Sequence, residues 1–293
     1  APADELAPQG QSWGLSPLIP HALRARAFRP FIDYLRANMR HAGALRIDHV
    51  VGLMRQFWVP SGLGATNGGY VTSPFTTLLS ILALESERNQ CMVIGEDLGT
   101  IPDELRTALR ASKVLSYCVL YFEKHWAGDE SFCRPHEYPE TALVTVATHD
   151  LPTMAGFCIG RDLDIRDRLA LFPSDEVAAR QRHDRELDVT RLTDVLVESD
   201  LLPPGTGMRF GEIPSDDFAL AVHRYLAKSP AQIMTVQAED LLGEVDQPNI
   251  PGTTTEEPNW RRKLGVPIEQ WGQHERLNRI AEALSLQRGS TSE

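Results

Sequence analysis

The sequence lacks the patterns that mark several large classes of protein. Its four cysteines include no Cys-x-x-Cys pair, so neither a zinc ribbon nor a disulfide framework is indicated. No apolar run approaches the roughly 18 residues that a membrane helix needs. The first residues, Ala1-Pro2-Ala3-Asp4-Glu5, lack the basic and then apolar pattern of a signal peptide. We therefore expect a cytoplasmic protein that does not associate with a membrane.

Positive charge is also scarce. Lys and Arg number 29 against 40 Asp and Glu, and the net charge of -11 would repel a phosphate backbone, so we expect no nucleic-acid partner. None of the nine histidines pairs with another at helical spacing around a Glu, and no motif implies a metal or a cofactor. With 293 residues, 42% of them hydrophobic, the chain is long enough for a sizeable core.

Acidic residues recur at the ends of short apolar stretches. Apolar or alternating segments typical of buried strands cover 44–47, 92–95 and 143–148. The acids that follow them are Asp48, then Glu96 with Asp97, and then Asp150 after His149. Because the carboxyl ends of parallel strands meet at one rim of a sheet, the sequence predicts a cluster of carboxylates there.

The order of elements predicts an α/β protein with a parallel sheet. Five strands are expected, ending near Asp48, Glu96, Phe122, His149 and Gln237. Acids at the C-terminal rim favour a (β/α)8 barrel, although an open doubly wound sheet is the alternative. Because an eight-stranded barrel would then lack three strands, we expect residues 1–293 to be its C-terminal part and to supply strands 4 to 8. The range 160–226 repeats apolar residues at helical spacing and predicts a helical insertion between the last two strands.

Three local features carry further expectations. A helix over about 22–42 should restart or kink near Pro30. The Gly-rich passage 61–74 is predicted to be irregular, and one helix is expected over about 267–287.

Two facing carboxylates can break a glycosidic bond. One attacks the anomeric carbon while the other protonates the leaving oxygen, and a separation of about 5 Å is expected of a retaining mechanism. Arg46, two residues before Asp48 on the same face of its strand, would keep Asp48 ionised, as a nucleophile must be.

Other interpretations of these residues remain open. An acid at a strand end is often the N-cap of the following turn. Carboxylates on successive barrel strands can also hold Mg²⁺, although Arg46 and His149 argue against it because cations repel a divalent metal. Trp13 and Trp260 lie in loops with Gly and Pro, where sugar-stacking platforms occur, but tryptophans are more often core residues.

Several motifs together resemble one family, the 4-α-glucanotransferases called amylomaltase or disproportionating enzyme, glycoside hydrolase family 77. The likeness is closest to the bacterial maltodextrin-metabolism branch. The motifs are Gly10-Gln11-Ser12-Trp13-Gly14, Leu35-Arg36-Ala37-Asn38-Met39, Arg46-Ile47-Asp48-His49, Gly69-Tyr70-Val71, Ile94-Gly95-Glu96-Asp97-Leu98-Gly99, Ala147-Thr148-His149-Asp150-Leu151-Pro152-Thr153 and Asn249-Ile250-Pro251-Gly252-Thr253.

This resemblance implies a fold, an activity and a set of roles. The family is a (β/α)8 barrel that moves α-1,4-glucan segments between maltooligosaccharides by a retaining double displacement. Carried over by motif, Asp48 would be the nucleophile, Glu96 the acid and base, and Asp150 the third carboxylate. The substrate-binding residues implied in the same way are Arg46, His49, His149, Trp13, Tyr70 and Asn249.

Family members begin well before this chain, so the resemblance implies a fragment whose partner is the missing N-terminal part of the barrel. Two alternative functions stay open. An α-glucan hydrolase of the same clan would use the same intermediate, with water in place of the acceptor sugar. An inactive glucan-binding fragment is the alternative outside enzymes, because a barrel without three strands exposes two sheet edges.

Overall fold

The computed structural model describes residues 1–2 and 10–289. The chain divides into two compact units. Unit 1 is Ala1–Tyr117 with Thr141–Leu143, and unit 2 is Cys118–Glu140 with Val144–Glu293. The boundary between them therefore falls within the fifth and sixth strands of the chain.

Unit 1 alternates helices and strands. In chain order its elements are α1 (Pro20–Ala25), α2 (Arg29–Met39), β1 (Ala44–Ile47), β2 (Arg55–Trp58), β3 (Gly69–Thr72), α3 (Phe75–Asn89), β4 (Met92–Gly95), α4 (Asp103–Ala111) and the start of β5 (Leu115–Val119). Short 3-10 helices cover Val50–Leu53 and Ala65–Asn67.

The strands of unit 1 carry the predicted parallel sheet. β1 pairs in parallel with β4, and β4 pairs in parallel with β5. The backbone N–H of Ser116 donates to the carbonyl of Thr141 at 3.1 Å, so the residues that lead into the sixth strand lie beside β5. Helices α2, α3 and α4 cover this sheet with one apolar core that includes Leu35, Met39, Leu82 and Leu105.

The predicted break near Pro30 is confirmed. Ala27 and Phe28 have positive φ angles of 47° and 58°, which end α1 and redirect the backbone. Pro30 then lies in the first turn of α2, where its missing N–H has no helical partner to lose.

Unit 2 is mainly helical. Its elements are the end of β6 (Ala142–Thr145), α5 (Met154–Ile159), α6 (Arg161–Arg168), α7 (Asp175–Glu198), α8 (Asp216–Ala227), β7 (Ile233–Met234), α9 (Ala238–Leu242) and α10 (Glu275–Arg288). Its 3-10 helices are Leu120–Phe122, Pro135–Glu137 and Ile268–Gln273. The hydroxyls of Thr153, Ser174 and Ser215 each accept a backbone N–H and cap α5, α7 and α8.

Strand β7 lies beside β6 in unit 2, where the N–H of Thr235 donates to the carbonyl of Val144 at 3.0 Å. The strand order of the five-stranded sheet is β1-β4-β5-β6-β7, as many strands as expected. Helices α6, α7 and α8 lie in the range 160–226. The interpretation of 160–226 as an insertion in a barrel stays a prediction. No described helix is long and apolar enough to cross a membrane.

Three sequence-based expectations were wrong in detail. The range 61–74 is not wholly irregular, because β3 pairs with β2 as an antiparallel hairpin. Its mostly exposed residues lack the apolar alternation that reveals a strand. Near the C-terminus, the single helix is divided at His274, which is extended and whose ring caps α10. The last strand, expected to end near Gln237, has only two residues and ends at Met234.

Candidate active site

Asp48 and Glu96 follow two strands that are direct neighbours in unit 1. The register pairs Ile47 with Gly95, so each acid is the first residue after the last pair. The N–H of Glu96 donates to the carbonyl of Ile47 at 2.9 Å, which carries the pairing into the loop. The parallel pairing therefore brings the two predicted catalytic acids to one end of unit 1.

Two backbone N–H groups orient the Glu96 carboxylate. His49 N–H donates to Oε2 at 2.7 Å, and Leu98 N–H donates to Oε1 at 2.8 Å. His49 presents its N–H from a left-handed conformation with φ of 47°, which is uncommon for a residue other than glycine. Backbone strain of this kind is concentrated at functional sites. Glu96 itself is 9% exposed, so its carboxylate is largely buried as well as held by two hydrogen bonds.

Asp48 has a different environment. Its side chain is 73% exposed, and its Oδ1 lies 2.8 Å from Nη1 of Arg46. The Arg46 guanidinium lies 5.0 Å from the centre of the Tyr117 ring, and its buried Nε has no hydrogen-bond partner among the described residues. Asp48 is therefore exposed to solvent, and Arg46 lies beside it, as their spacing along the strand predicted.

Tyr117 is a residue that the sequence did not reveal. Burial raises the pKa of its hydroxyl, the positive charge of Arg46 lowers it, and the negative charge of Glu96 raises it again. Tyr117 thus lies close enough to Arg46 and Glu96 for both charges to affect its hydroxyl. It follows no strand-end pattern, so the pairing of β5 with β4 was needed to find it.

Asp97 has a structural role at the start of β5. Its Oδ2 accepts the Ser116 hydroxyl at 2.6 Å, and its Oδ1 accepts the Tyr117 N–H at 2.9 Å. Neighbouring Glu96 and Asp97 therefore have different partners, as strand alternation predicts. Asp97 fixes the start of β5 and so the position of Tyr117.

Two predicted sugar-binding aromatics also lie in unit 1. The ring of Trp13, 53% exposed, meets the ring of His49 edge to face with centres 5.6 Å apart. Tyr70 is 54% exposed on the β2–β3 hairpin, where its ring contacts Phe57 and lies 4.8 Å from the Arg55 guanidinium. The structure thus brings Trp13 to the loop that carries Asp48, whereas the contacts of Tyr70 are with its own hairpin.

Unit 2 brings together the remaining predicted residues around Asp150. Asn249 Nδ2 donates to Asp150 Oδ1 at 2.6 Å, and His149 Nε2 lies 3.4 Å from Oδ2. The N–H of Asn249 donates to the carbonyl of His149 at 3.2 Å. The buried amide of Gln247 donates to the carbonyls of Asp150 and Asn249 and ties the two loops together. Sequence reasoning missed Gln247, because nothing local relates it to Asp150.

Trp260 completes this group. Its ring centre lies 5.1 Å from that of His149, and its side chain is 66% exposed. The backbone of Trp260 is left-handed, with φ of 59°, and its N–H donates to the carbonyl of Pro248. An exposed, fixed indole beside a histidine and a carboxylate can stack on the apolar face of a sugar ring.

None of these carboxylates belongs to a metal-ligand group among the described residues, where such a group is formed by His125, Cys133 and Glu137. The magnesium alternative gains no support from this geometry.

The sequence matches a known family over most of its length. A family model described as 4-alpha-glucanotransferase, glycoside hydrolase family 77, matches residues 1–267. The chain belongs to this family. The 4-alpha-glucanotransferase of Haemophilus influenzae is 43% identical over 269 residues, which make up 92% of this chain and 38% of that protein.

Two solved structures of this family are similar to the chain. The crystal structure of amylomaltase from Corynebacterium glutamicum has a TM-score of 0.89 and 33% identity, covering 97% of this chain and 41% of that one. The amylomaltase from Streptococcus agalactiae, solved in complex with acarbose, has a TM-score of 0.69 and 18% identity, covering 98% and 50%. The chain thus spans half or less of each relative. The parallel strands and the likeness to amylomaltase fit part of a (β/α)8 barrel.

Proposed function

We propose that this protein is a 4-α-glucanotransferase that transfers α-1,4-glucan segments between maltooligosaccharides in starch, glycogen or maltodextrin metabolism. The observation that carries the proposal is the placement of Asp48 and Glu96 at the ends of adjacent parallel strands in a chain of this family. One acid is exposed beside a cation, and the other is oriented by two backbone N–H groups.

The first step forms a covalent intermediate. The Asp48 carboxylate attacks the anomeric carbon of the donor, the glycosidic C–O bond breaks, and Glu96 gives its proton to the leaving oxygen. The Arg46 guanidinium lies 2.8 Å from the Asp48 carboxylate and places a positive charge beside the attacking group. When a Glu96 oxygen carries the proton, it is a poorer acceptor. The hydrogen bond that this oxygen accepts from a backbone N–H is then weaker.

The second step reverses the first with a new sugar. The 4-hydroxyl of the acceptor attacks the same carbon, Glu96 takes its proton, and the ester bond to Asp48 breaks. Two inversions give net retention at the anomeric carbon. The two N–H donors at His49 and Leu98 match the ionised Glu96 that this step needs.

The remaining residues bind the donor. We assign to Asp150 the contacts with donor-sugar hydroxyls, and Asn249 and His149 hold its carboxylate for that purpose. Trp13 offers an exposed face for stacking, as does Trp260. Tyr70, on its hairpin, contributes a further aromatic contact.

We further propose that β1, β4, β5, β6 and β7 correspond to strands 4 to 8 of the barrel. Their order along the sheet and the TM-score with amylomaltase support this numbering. The segment that supplies the other strands would then be a partner of this chain, and co-purification with that segment would test it. The cytoplasmic location stays a prediction that cell fractionation would test.

The test is incubation of the purified protein with maltotriose, beside an Asp48→Asn variant, with products resolved by length. Glucose together with a ladder of longer maltooligosaccharides, absent in the variant, is expected of the transferase. Glucose and maltose alone would favour the hydrolase. A folded protein that binds glucan without turnover would favour the binding fragment, and both results would overturn the proposal.

A further inference from the structure

A group of metal-ligand side chains in unit 2 takes no part in the proposed reaction. His125, Cys133 and Glu137 each place one ligand atom so that all three atoms lie within 4.8 Å of one another. Their spacing in the sequence follows no zinc motif, which is why the pattern of histidines and cysteines gave no signal. A group of this kind combines a nitrogen, a sulfur and an oxygen ligand.

A short hairpin holds the first two ligands. Lys124 and Phe132 form an antiparallel bridge, His125 N–H donates to the Ser131 carbonyl, and Cys133 N–H donates to the Glu123 carbonyl. Since side chains alternate along paired backbone, His125 and Cys133 lie on the face opposite Lys124 and Phe132. The ammonium of Lys124 is paired with Asp188 at 2.6 Å, so that positive charge is already neutralised.

The third ligand comes from the 3-10 helix that follows. Glu137 caps this helix by accepting the N–H of Arg134, and its Oε1 lies 3.1 Å from Nε2 of His125. On the other side of the imidazole, Nδ1 lies 3.0 Å from the Ser131 hydroxyl. A metal on Nε2 requires the proton on Nδ1, and Ser131 Oγ is placed to accept it.

The electrostatics of the group favour a cation. The carboxylates of Glu123 and Glu137 both lie close enough to the Cys133 thiol to interact with it electrostatically. A divalent cation at this place would attract both carboxylates and would bind the thiolate directly. His125 and Glu137 are 42% and 37% exposed at their side chains, which leaves access for the ion and for water.

We propose that His125 Nε2, Cys133 Sγ and a Glu137 oxygen bind one Zn²⁺, with water as the fourth ligand. Zinc accepts nitrogen, sulfur and oxygen ligands in tetrahedral geometry. Mg²⁺ and Ca²⁺ prefer oxygen ligands alone, so this set does not suit them. The ion links the hairpin to the 3-10 helix and stabilises this part of unit 2 without entering the transfer reaction.

Cobalt titration of the untagged protein tests the site. Co²⁺ bound to a thiolate gives a charge-transfer absorption in the near ultraviolet, and added Zn²⁺ should remove it by competition. Cys133→Ser should lose this absorption, whereas Cys91→Ser, a change at a buried free cysteine in unit 1, should keep it. His125→Asn and Glu137→Gln should each weaken zinc binding by about tenfold or more in a chelator competition.

Circular dichroism of each variant shows whether it is folded. If Cys133→Ser does not fold, His125→Asn and Glu137→Gln decide the question, because both change groups that are partly exposed. Absence of the absorption in the wild-type protein would overturn the proposal. Equal loss in Cys91→Ser, or unchanged zinc affinity in both partly exposed variants, would also overturn it.

Discussion

The two units hold their candidate catalytic acids in different ways. In unit 1, both oxygens of Glu96 accept backbone N–H groups, from His49 and Leu98. In unit 2, Asp150 depends on side chains, chiefly the amide of Asn249 at 2.6 Å. The orientation of Glu96 therefore follows from the path of the chain, whereas that of Asp150 depends in part on the Asn249 side chain, which one substitution removes.

A second contrast, in the number of donors, separates two buried acids that lie outside the proposed chemistry. Glu85 in unit 1 accepts two hydrogen bonds from Arg36 and one from Arg88, and the bond from Arg36 lowers its pKa. Asp240 in unit 2 accepts the Met154 N–H at Oδ1, while Oδ2 has no partner among the described residues. Burial raises the pKa of Asp240 to about 7. An acid with enough donors stays ionised, and one with too few tends to keep its proton.

The largest expected effect is that of Glu96→Gln. The variant cannot donate or take a proton, so kcat for glucan transfer should fall by about 10²–10⁴-fold. Glu104→Gln, at an exposed acid in α4, should leave kcat unchanged. Product analysis with maltotriose measures both. Loss of less than tenfold in the Glu96 variant would show that another group moves the proton.

Glu85→Gln should have the next largest effect. The free energy of unfolding at pH 7 should fall by about 1.5–3 kcal/mol, because the charged hydrogen bonds from two arginines are weakened. Since the folded pKa of Glu85 is lowered, its contribution is present above the unfolded pKa and is lost as the pH falls. The difference between wild type and variant should therefore shrink towards pH 3. Urea unfolding at both pH values measures it, with exposed Glu87→Gln on the same helix as control. An equal loss at both pH values would contradict the account.

Asn249→Ala sharpens the contrast between the two candidate acids. The change removes the side-chain donor to Asp150 but leaves the backbone bond from Asn249 to His149. We expect kcat/KM to fall by about tenfold, equivalent to ~1.4 kcal/mol. Asn38→Ala, which removes a helix-surface bond to Tyr34, should have no effect on kinetics. An unchanged kcat/KM for Asn249→Ala would mean that Asp150 is oriented by other groups.

Asp240→Asn should change the stability with a pH dependence opposite to that of Glu85→Gln. A folded pKa raised to about 7 gives a contribution that is present below the unfolded pKa and lost as the pH rises through 7. Asn has no such loss, so the free energy of unfolding of the variant should gain about 2–3 kcal/mol relative to wild type between pH 5 and pH 8. Thermal unfolding at both pH values measures this. Titration of buried His223, whose pKa is lowered to about 4, is common to both proteins and cancels. A variant that loses stability at pH 8 would refute the prediction.

The sequence predicted the acids because their signal is local. Asp48 and Glu96 each follow an apolar strand, and parallel pairing alone brings such positions together. Tyr117 and Gln247 could not be predicted in this way. The position of Tyr117 depends on a hydrogen bond to Asp97. That of Gln247 depends on a hydrogen bond to Asp150, almost a hundred residues away in the sequence. The β2–β3 hairpin was missed for a related reason, since its four-residue strands are defined by pairing rather than by an apolar face.

Trapping the covalent intermediate on Asp48 would distinguish double displacement from a mechanism without an enzyme-bound sugar. A maltosyl fluoride donor needs no acid for its leaving group, so the Glu96→Gln protein should form the ester but lack the base that discharges it. Mass spectrometry of the intact protein and of its peptides should find one added maltosyl group on the peptide that contains Asp48. An adduct on another residue, or product formation in this variant with no adduct, would contradict the account.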